Sequence, residues 1–384
     1  MTMQTGTRAT YYPRATETSM VRDVADRIAL LQPEAAPLIT FMNALKRKKE
    51  AVNSKYEWLE DDLVPQTINV DGAIGTSTTV NIHSADTMTV RNGDILIAPA
   101  GEAIRVTSGE GTTTLTVVRT LGGGSTETLA DDDQLVIAGS AFSEGVTAPT
   151  YRWVAKTAKS NYIQIFRDPV LISDSQDASE SIGGNDRLYQ RKKVAIEHKR
   201  GIETALLFGE QYESTNLRTT KGLNAFISTN KTAISGTLTE ADFEEFLRGL
   251  FRYNASVSPA TKVMFAAPIF ISALNFWAKN ALQVRSDEKT YGMRIATYRS
   301  GHGDIDIVRH WLLQDFDNFE DTAFFVDPSN LTYRFLRGLD TKLHVDIADK
   351  SYDYKLDEYR SYVGFQCELE KTHGMLTGVT GFAA

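Results

Sequence analysis

The side chains able to do chemistry in this 384-residue chain are few and scattered. Cysteine occurs once, at Cys367, which excludes an intramolecular disulfide, a cysteine zinc cage and a CxxC redox pair together. Val363, Phe365, Cys367 and Leu369 alternate with Tyr362, Gly364, Gln366 and Glu368, so the thiol falls in the apolar row of a strand, a packed group rather than a nucleophile. Of the six histidines, His83, His198, His302, His310, His344 and His373, only His302 has carboxylates close by, in the run Gly301 to Asp306. A metal or general-base site could be built there, but glycine on both sides of the histidine predicts a tight turn. Asp131, Asp132 and Asp133 could hold calcium, yet they lack the alternating ligands and glycine of an EF-hand loop and read as a solvated acidic turn. There is no G-x-x-x-x-G-K-[ST], H-E-x-x-H or G-x-S-x-G, and the glycines at Gly109 and Gly122 fall on predicted hairpins, not at strand-to-helix phosphate loops. No catalytic, cofactor-binding or metal residue is assigned on these grounds.

The elements that would have to position any such site fall into unequal parts. Hydrophobic residues make up 42% and charged residues 23%, so the chain should bury real cores, and its length suggests two or three domains. No apolar run reaches the ~20 residues of a membrane span, and Met1 to Thr10 lacks a signal-peptide core, so no membrane partner and a reducing, cytosolic place of synthesis are expected. The sequons at Asn230, Asn254 and Asn330 carry no weight without such a signal. Net charge is −8, and it is unevenly spread: from Asp61 to Gly145 three arginines face twelve acidic residues, a net of −9, while the remainder is near neutral. No lysine occurs from Tyr56 to Ala155. Such a shift marks a separately folded insertion.

The first fifty residues read as an arm with two short helices, around Val24, Ile28, Leu31 and around Leu38, Phe41, Met42, Leu45, separated by Pro33 and Pro37. The second runs into Lys46-Arg47-Lys48-Lys49, expected as a basic last helical turn. Five short strands are predicted at Val80–His83, Ile95–Ala98, Ala103–Thr107, Thr113–Thr120 and Gln134–Ile137, making a small barrel or sandwich. The flanks Lys55–Leu63 and Thr150–Arg167 look extended and could pair as a long hairpin. A long helix is expected from Asp186 to Phe208, capped by Asn185 and stopped by a left-handed Gly209. Leu188, Ala195, Ile202 and Leu206 give it a narrow apolar stripe. Arg187, Arg191, Lys192, Lys193, Lys199 and Arg200 leave its other sides to solvent, a partner subunit or a polyanion. Thr239 caps a helix bearing Phe243, Phe246, Leu247, Leu250 and Phe251, and a mixed α/β pattern follows. It comprises a strand Lys262–Ala267, a helix Pro268–Ala281, strands Asp304–Val308, Thr322–Val326 and Leu331–Leu336, and an alternation at Leu343, Val345, Ile347.

In this order the chain resembles the HK97-like major capsid proteins of tailed bacteriophages, in particular those with an extra β module in the extended loop. The segments that carry the resemblance are Leu30 to Leu38, Tyr56-Glu57-Trp58, Tyr162 to Arg167, Ile202 to Gly209 and Gly222-Leu223-Asn224. The resemblance implies an α+β fold with an N-terminal arm (1–50) and an extended loop (51–74 and 146–170) bearing an inserted β-barrel-like domain (75–145). A peripheral domain (171–221 and 338–384, with spine helix 186–208) and an axial domain (222–337) complete it. Gly183-Gly184 then implies a kink or late start of the spine helix. The function implied is an icosahedral shell enclosing double-stranded DNA, a virion component made in the bacterial cytoplasm, with no enzymatic role. Its partners would be copies of itself in hexamers and pentamers, a separate scaffolding protein in place of a cleaved propeptide, a portal protein and packaged DNA bound without sequence specificity, with a decoration protein left open. Tyr11, Tyr12, Trp58, Trp153, Tyr162, Phe166 and Arg167 are the candidate inter-subunit contacts. An encapsulin-type cargo shell shares the fold, and a soluble enzyme with a β accessory domain, built around His302, is the alternative of another class. A carbohydrate-binding protein would want exposed aromatics on the module, where Phe142 stands alone.

Overall fold

The structure is a computed structural model that describes residues 36–179, 185–253, 261–278, 285–286, 295–349 and 351–383. Tyr11, Tyr12, the first expected helix and Gly183-Gly184 lie outside the described residues. The chain divides into two compact units, Glu57–Lys159 and the remainder, Met1–Tyr56 with Ser160–Ala384.

Helix α1 (Pro37–Ala44) buries Leu38, Phe41 and Met42, and proline at its first position forfeits no hydrogen bond there. It stops at Ala44, so the basic tetrad is not its last turn. Lys46 takes a left-handed φ of 56° and reverses the chain. Strand β1 (Lys48–Ala51) then pairs in parallel with residues Tyr333–Leu336, whose backbone supplies the partners an exposed helix end would lack.

Strand β2 (Lys55–Glu60) leads into the second unit, where six strands follow: β3 (Thr67–Asn69), β4 (Thr79–Asn81), β5 (Asp94–Ile97), β6 (Ala103–Ser108), β7 (Thr114–Val118) and β8 (Gln134–Ser140). They are ordered β3-β8-β5-β6-β7-β4, and a bridge between Val70 and Ile82 joins the two edges, so the barrel closes and leaves no open edge. Inward residues alternate along every strand: Ile68, Val80, Leu96, Ile104, Val106, Leu115, Val117, Leu135 and Ile137 fill the core. The barrel starts earlier than residue 75. β3 had no sequence signal because its three residues supply a single buried side chain, Ile68. Inside, Glu102 and Arg119 form a buried bidentate pair, and Arg119 also donates to the carbonyls of Gly75, Ser77 and Glu127, tying three loops to one guanidinium. Strand β9 (Thr157–Tyr162) pairs with β2, the expected hairpin of the flanks in shortened form.

In the larger unit, β10 (Gln164–Ser173) ends in a one-turn helix α2 (Asp174–Ala178) capped by Ser173. Helix α3 (Asp186–Phe208) starts as expected, with Asn185 Oδ1 accepting the Leu188 N–H. Its stop differs: Gly209 has φ −59°, in the ordinary region. Glycine is required there for space, because a Cβ would lie 2.4 Å from the carbonyl oxygens of Ala205 and Thr220. A small hairpin, β11 (Tyr212–Glu213) and β12 (Arg218–Thr219), leads to α4 (Leu223–Phe226), β13 (Lys231–Leu238) and α5 (Glu240–Leu250), whose Thr239/Asp242 capping box matches the sequence reading. Then come β14 (Thr261–Ala266), α6 (Pro268–Ala278), β15 (Arg285–Ser286), β16 (Ile295–Arg299), β17 (Asp304–Arg309), α7 (Trp311–Asp315) and β18 (Ala323–Val326). β19 (Leu331–Leu336), β20 (Lys342–His344), β21 (Tyr354–Cys367) and β22 (Gly374–Phe382) end the chain.

Two sheets organise this unit. One runs β1-β19-β21-β10 with β20 also on β21, and α3 packs against β10 and β21. The other runs β13-β22-β18-β14-β17-β16-β15. Two strands cross the bounds of the expected partition. β19, placed with 222–337, belongs to the sheet of β10 and β21, and β22, placed with 338–384, belongs to the seven-stranded sheet. The cause is the reversal after Cys367: Leu369 adopts φ 52°, leaves the apolar row it was assigned to, and a turn at Glu370–Thr372 sends the chain to the other sheet. There Met375 and Leu376 are buried.

Candidate functional site

The residues singled out for chemistry are mostly absorbed by structure. Cys367 is buried on β21, as expected. His302 lies in the turn between β16 and β17, and among the described residues the carboxylate paired with it is Glu244, 3.9 Å away on α5, rather than Asp304 or Asp306. Glu244 is itself held by the Tyr298 hydroxyl at 2.8 Å and the Ser300 hydroxyl at 3.0 Å, and the Tyr298 hydroxyl is pushed to a higher pKa, first by burial and then by this carboxylate. In the barrel, ligand atoms of Asp71, His83 and Asp131 lie within 4.8 Å of one another, a spacing compatible with a cation. The group is exposed, however, and Asp131 already accepts the Gly72 N–H at 2.7 Å.

Helix α3 gathers the buried polar groups that sequence reasoning missed. Asp168 on β10 bonds His198 Nδ1, and His198 Nε2 lies 2.6 Å from the Ser361 hydroxyl on β21, the connectivity of a hydrolase triad. Ser361 is wholly buried and also bonds the Thr341 hydroxyl at 2.7 Å, so its own oxygen is closed off from a substrate by the chain around it. The chain of bonds fastens the helix to the sheet. One turn further on, the fully buried Glu203 accepts the N–H groups of Leu38 (2.6 Å) and Ile39 (3.0 Å), the open first turn of α1, and meets His310 Nε2 at 2.9 Å. The sequence signal was present but faint, a carboxylate inside the apolar run Ile202 to Phe208.

The basic stretch of α3 is largely spent within the chain. Arg187 and Arg191 both bond Asp357 on β21. Burial alone would raise the Asp357 pKa, but the two guanidiniums outweigh it and hold the carboxyl well below its usual range. Arg200 pairs with Asp315 at 2.9 Å, and Lys193 lies 3.8 Å from Glu197. Lys192 and Lys199 are left exposed, so the polyanion reading shrinks to two side chains.

A second polar group sits under the seven-stranded sheet. Lys262 on β14 is 1% exposed and donates to the Thr372 carbonyl. Burial brings its pKa down to about 8. His373 beside it accepts the Asp327 N–H at Nδ1 and donates from Nε2 to the Glu368 carbonyl. Burial, and secondarily the Lys262 charge, bring it down to about 4.

The candidate contact residues separate into two kinds. Trp58 is buried and bonds Glu60 through its indole N–H. Phe166 stacks edge-on against His198 and Tyr162 donates to Glu213 at 2.6 Å, each half-buried within the chain. Arg167 is exposed but engaged by Glu358 on the neighbouring strand. Trp153 remains exposed at 54%, in the company of Leu59, Leu63 (88%), Tyr151 (83%) and Val154. The flanks of the barrel therefore carry apolar side chains that their own unit leaves bare.

The family model described as the SU10 major capsid protein matches residues 1–380 of the chain. The sequence is 25% identical over 290 residues to the major capsid protein of Pseudomonas phage PaMx41, covering 71% of this chain and 68% of that protein. In structure it is similar to the capsid of a native GTA particle, with a TM-score of 0.51 at 9% identity over 98% of this chain and all of that one. It is likewise similar to the capsid protein of cyanophage A-1(L), with a TM-score of 0.51 at 11% identity over 95% of this chain and 99% of that one. At such identities the two structures speak for the fold, an α+β fold of the HK97-like capsid type.

Proposed function

Since the chain belongs to the SU10 major capsid protein family and forms the shell of a phage capsid, we propose that its copies are held together mainly by the bare flanks of the barrel and by the N-terminal arm, residues 1–50. The observation that carries this reading is the exposed apolar set Leu59, Leu63, Tyr151, Trp153 and Val154, which costs free energy in water and gains it under a neighbouring copy. In this reading residues 51–74 and 146–170 lie over a neighbour, the five-stranded sheet with α3 is the peripheral body, and the seven-stranded sheet is the axial body of hexamers and pentamers. The shell is the icosahedral head of a tailed phage, built in the bacterial cytoplasm on a separate scaffold around a portal, and it encloses double-stranded DNA without enzymatic work. Family membership favours this over an encapsulin-type cargo shell.

The barrel, with its net −9 between Asp61 and Gly145, belongs on the outside of such a shell. Duplex DNA carries one charge per ~1.7 Å, and a lining of acidic modules would be repelled by it. Outside, the same charge keeps particles apart.

The test is assembly itself. Purified chain with wild-type flanks should give closed shells by negative-stain microscopy and light scattering, and a Leu63→Glu/Tyr151→Ser double variant should stay as small, folded oligomers. A wild-type chain that persists as a stable, protease-resistant monomer under every assembly condition refutes the reading. A tag inserted at Gly123 tests the outward module: antibody should bind intact, DNA-filled particles.

A further inference from the structure

The chain that returns from the barrel, residues 141–156, contains no helix or strand, so its hold on the barrel falls largely to side chains. It grips at two places. At the first, the Ala141 N–H donates to the Gly93 carbonyl at 2.8 Å and Arg105 Nη2 donates to the Ala141 carbonyl at 3.2 Å. The Phe142 ring lies so close over Gly93 that a Cβ there would be 2.6 Å from it. At the second, the Thr150 hydroxyl donates to Glu110 Oε1 at 2.9 Å, and Arg152 Nη2 bonds Asp94 Oδ1. Residues 143–149, between the two, are exposed throughout. Both carboxylates of the second grip are set in place by the barrel's own backbone. Asp94, the first residue of β5, is wholly buried and accepts the Arg91 N–H at 3.0 Å, while Glu110 accepts the Asn92 N–H at 3.2 Å. Thr150 and Arg152, two residues apart, turn to the barrel; the alternate residues Tyr151 and Trp153 are 83% and 54% exposed.

We infer that Asp94 and Arg152 are positioning residues for the contact between copies: their clasp fixes residues 150–153 on the barrel, so that Tyr151 and Trp153 are presented together and already ordered. The inference rests on the reading above, in which the bare flanks hold copies together, and adds what sets their geometry. An unclasped link from Ser140 to Thr157 would have to give up its backbone and ring freedom at every association, whereas a clasped one has given it up within the subunit. The pair is also not of the solvent-screened kind that contributes little, because its side chains are only 21% and 0% exposed. Arg152 is the first basic residue after Arg119, so the acidic module meets its one clasping cation where the chain leaves it.

The test uses the full chain with changes on the linker, which leave Asp94 bonded to Arg91. In the unassembled subunit, Arg152→Gln should quicken chymotryptic cleavage at Tyr151 and Trp153 by about fivefold or more, and light scattering should show the threshold concentration for shell formation rising by a similar factor. Arg152→Lys, which keeps the charge, should recover part of both. Thr150→Ala removes only the outer bond and should shift both readings less, in the same direction; it keeps the test standing if Arg152→Gln does not fold. The decisive arm repeats Arg152→Gln in a Tyr151→Ser/Trp153→Ser background, where nothing is left to present and the threshold should move by less than about twofold further. A purely structural role would add the same shift in both backgrounds, and that result overturns the inference. Unchanged cleavage, or faster cleavage with a wild-type threshold, overturns it as well. If the Tyr151→Ser/Trp153→Ser chain itself assembles like wild type, the flank reading is what fails, and the inference falls with it.

Discussion

Lys262 offers the sharpest test of the energetics. Its ammonium is buried at the head of β14 with one carbonyl, that of Thr372, as acceptor, and its pKa is lowered from 10.5 to about 8. A group whose folded pKa is depressed withholds stability below that pKa and returns it as pH rises toward the unfolded value. Each pH unit in that window is worth about 1.4 kcal/mol, so the buried charge costs about 3 kcal/mol at pH 7. Lys262→Met removes that cost, but it leaves the Thr372 carbonyl without its donor, a loss of about 1–3 kcal/mol that does not depend on pH. The net change at pH 7 is therefore small and in favour of the variant. The decisive quantity is its slope: the variant's advantage should fall by about 3 kcal/mol between pH 8 and 10.5, most of it by pH 10. Urea unfolding of the unassembled subunit followed by tryptophan fluorescence reads it, since Trp277 is tied by its indole N–H to the Ala383 carbonyl just beyond β22 of the same sheet. Taking the difference between the two proteins at each pH cancels the tyrosines that titrate in both. A difference that stays flat from pH 7 to 10 would mean that Lys262 is not desolvated, and the reasoning fails.

His373, brought down from 6.5 to about 4, should make the wild type lose about 3 kcal/mol as pH falls from 6.5 to 4; His373→Gln should flatten that part of an acid titration monitored by the same fluorescence. Glu203→Gln leaves one acceptor oxygen for two amides and an imidazole, so exchange of the Leu38 and Ile39 amide hydrogens should quicken by about ten- to a hundredfold, a loss of ~1–3 kcal/mol; unchanged exchange would show that α1 is held by its apolar face alone. Gly209→Ala must push a Cβ into two carbonyl oxygens and should destabilise by ~3 kcal/mol or more. Gly201→Ala, on the same helix with open space around it, should stabilise by ~0.5–1 kcal/mol, and equal midpoints for the two in urea would refute the close-approach argument.

What could be read from the sequence is what depends on local order. The caps at Asn185 and Thr239, the alternation in the barrel strands, the long helix from Asp186 and the apolar face of α5 are properties of a few consecutive residues, and each appears where its pattern lies. The acidic, lysine-free stretch from Asp61 to Gly145 falls within the compact unit Glu57–Lys159, and such a composition can be read without knowledge of contacts. The expected order of segments led to the capsid family, which the match over residues 1–380 shows.

The tertiary structure alone decided what depends on partners distant in the chain. β1 is a strand because Tyr333–Leu336 supplies its hydrogen bonds 285 residues away, and four consecutive residues with three charges give no local hint of it. β22 changes sheets because one residue, Leu369, turns left-handed, a choice its side chain does not advertise. Gly209 looked like a helix terminator by position, and only the crossing of Thr220 shows that it is there to let two backbones meet. The buried polar groups follow the same rule. Glu203, His198 and Asp357 look like surface residues of a basic helix and a polar strand, and they become interior only when α3 lies down on its sheet and α1 ends on Glu203. Sequence sets propensity and pattern, which are short-range; desolvation is set by whichever distant segment arrives to exclude water, and that is fixed by the fold.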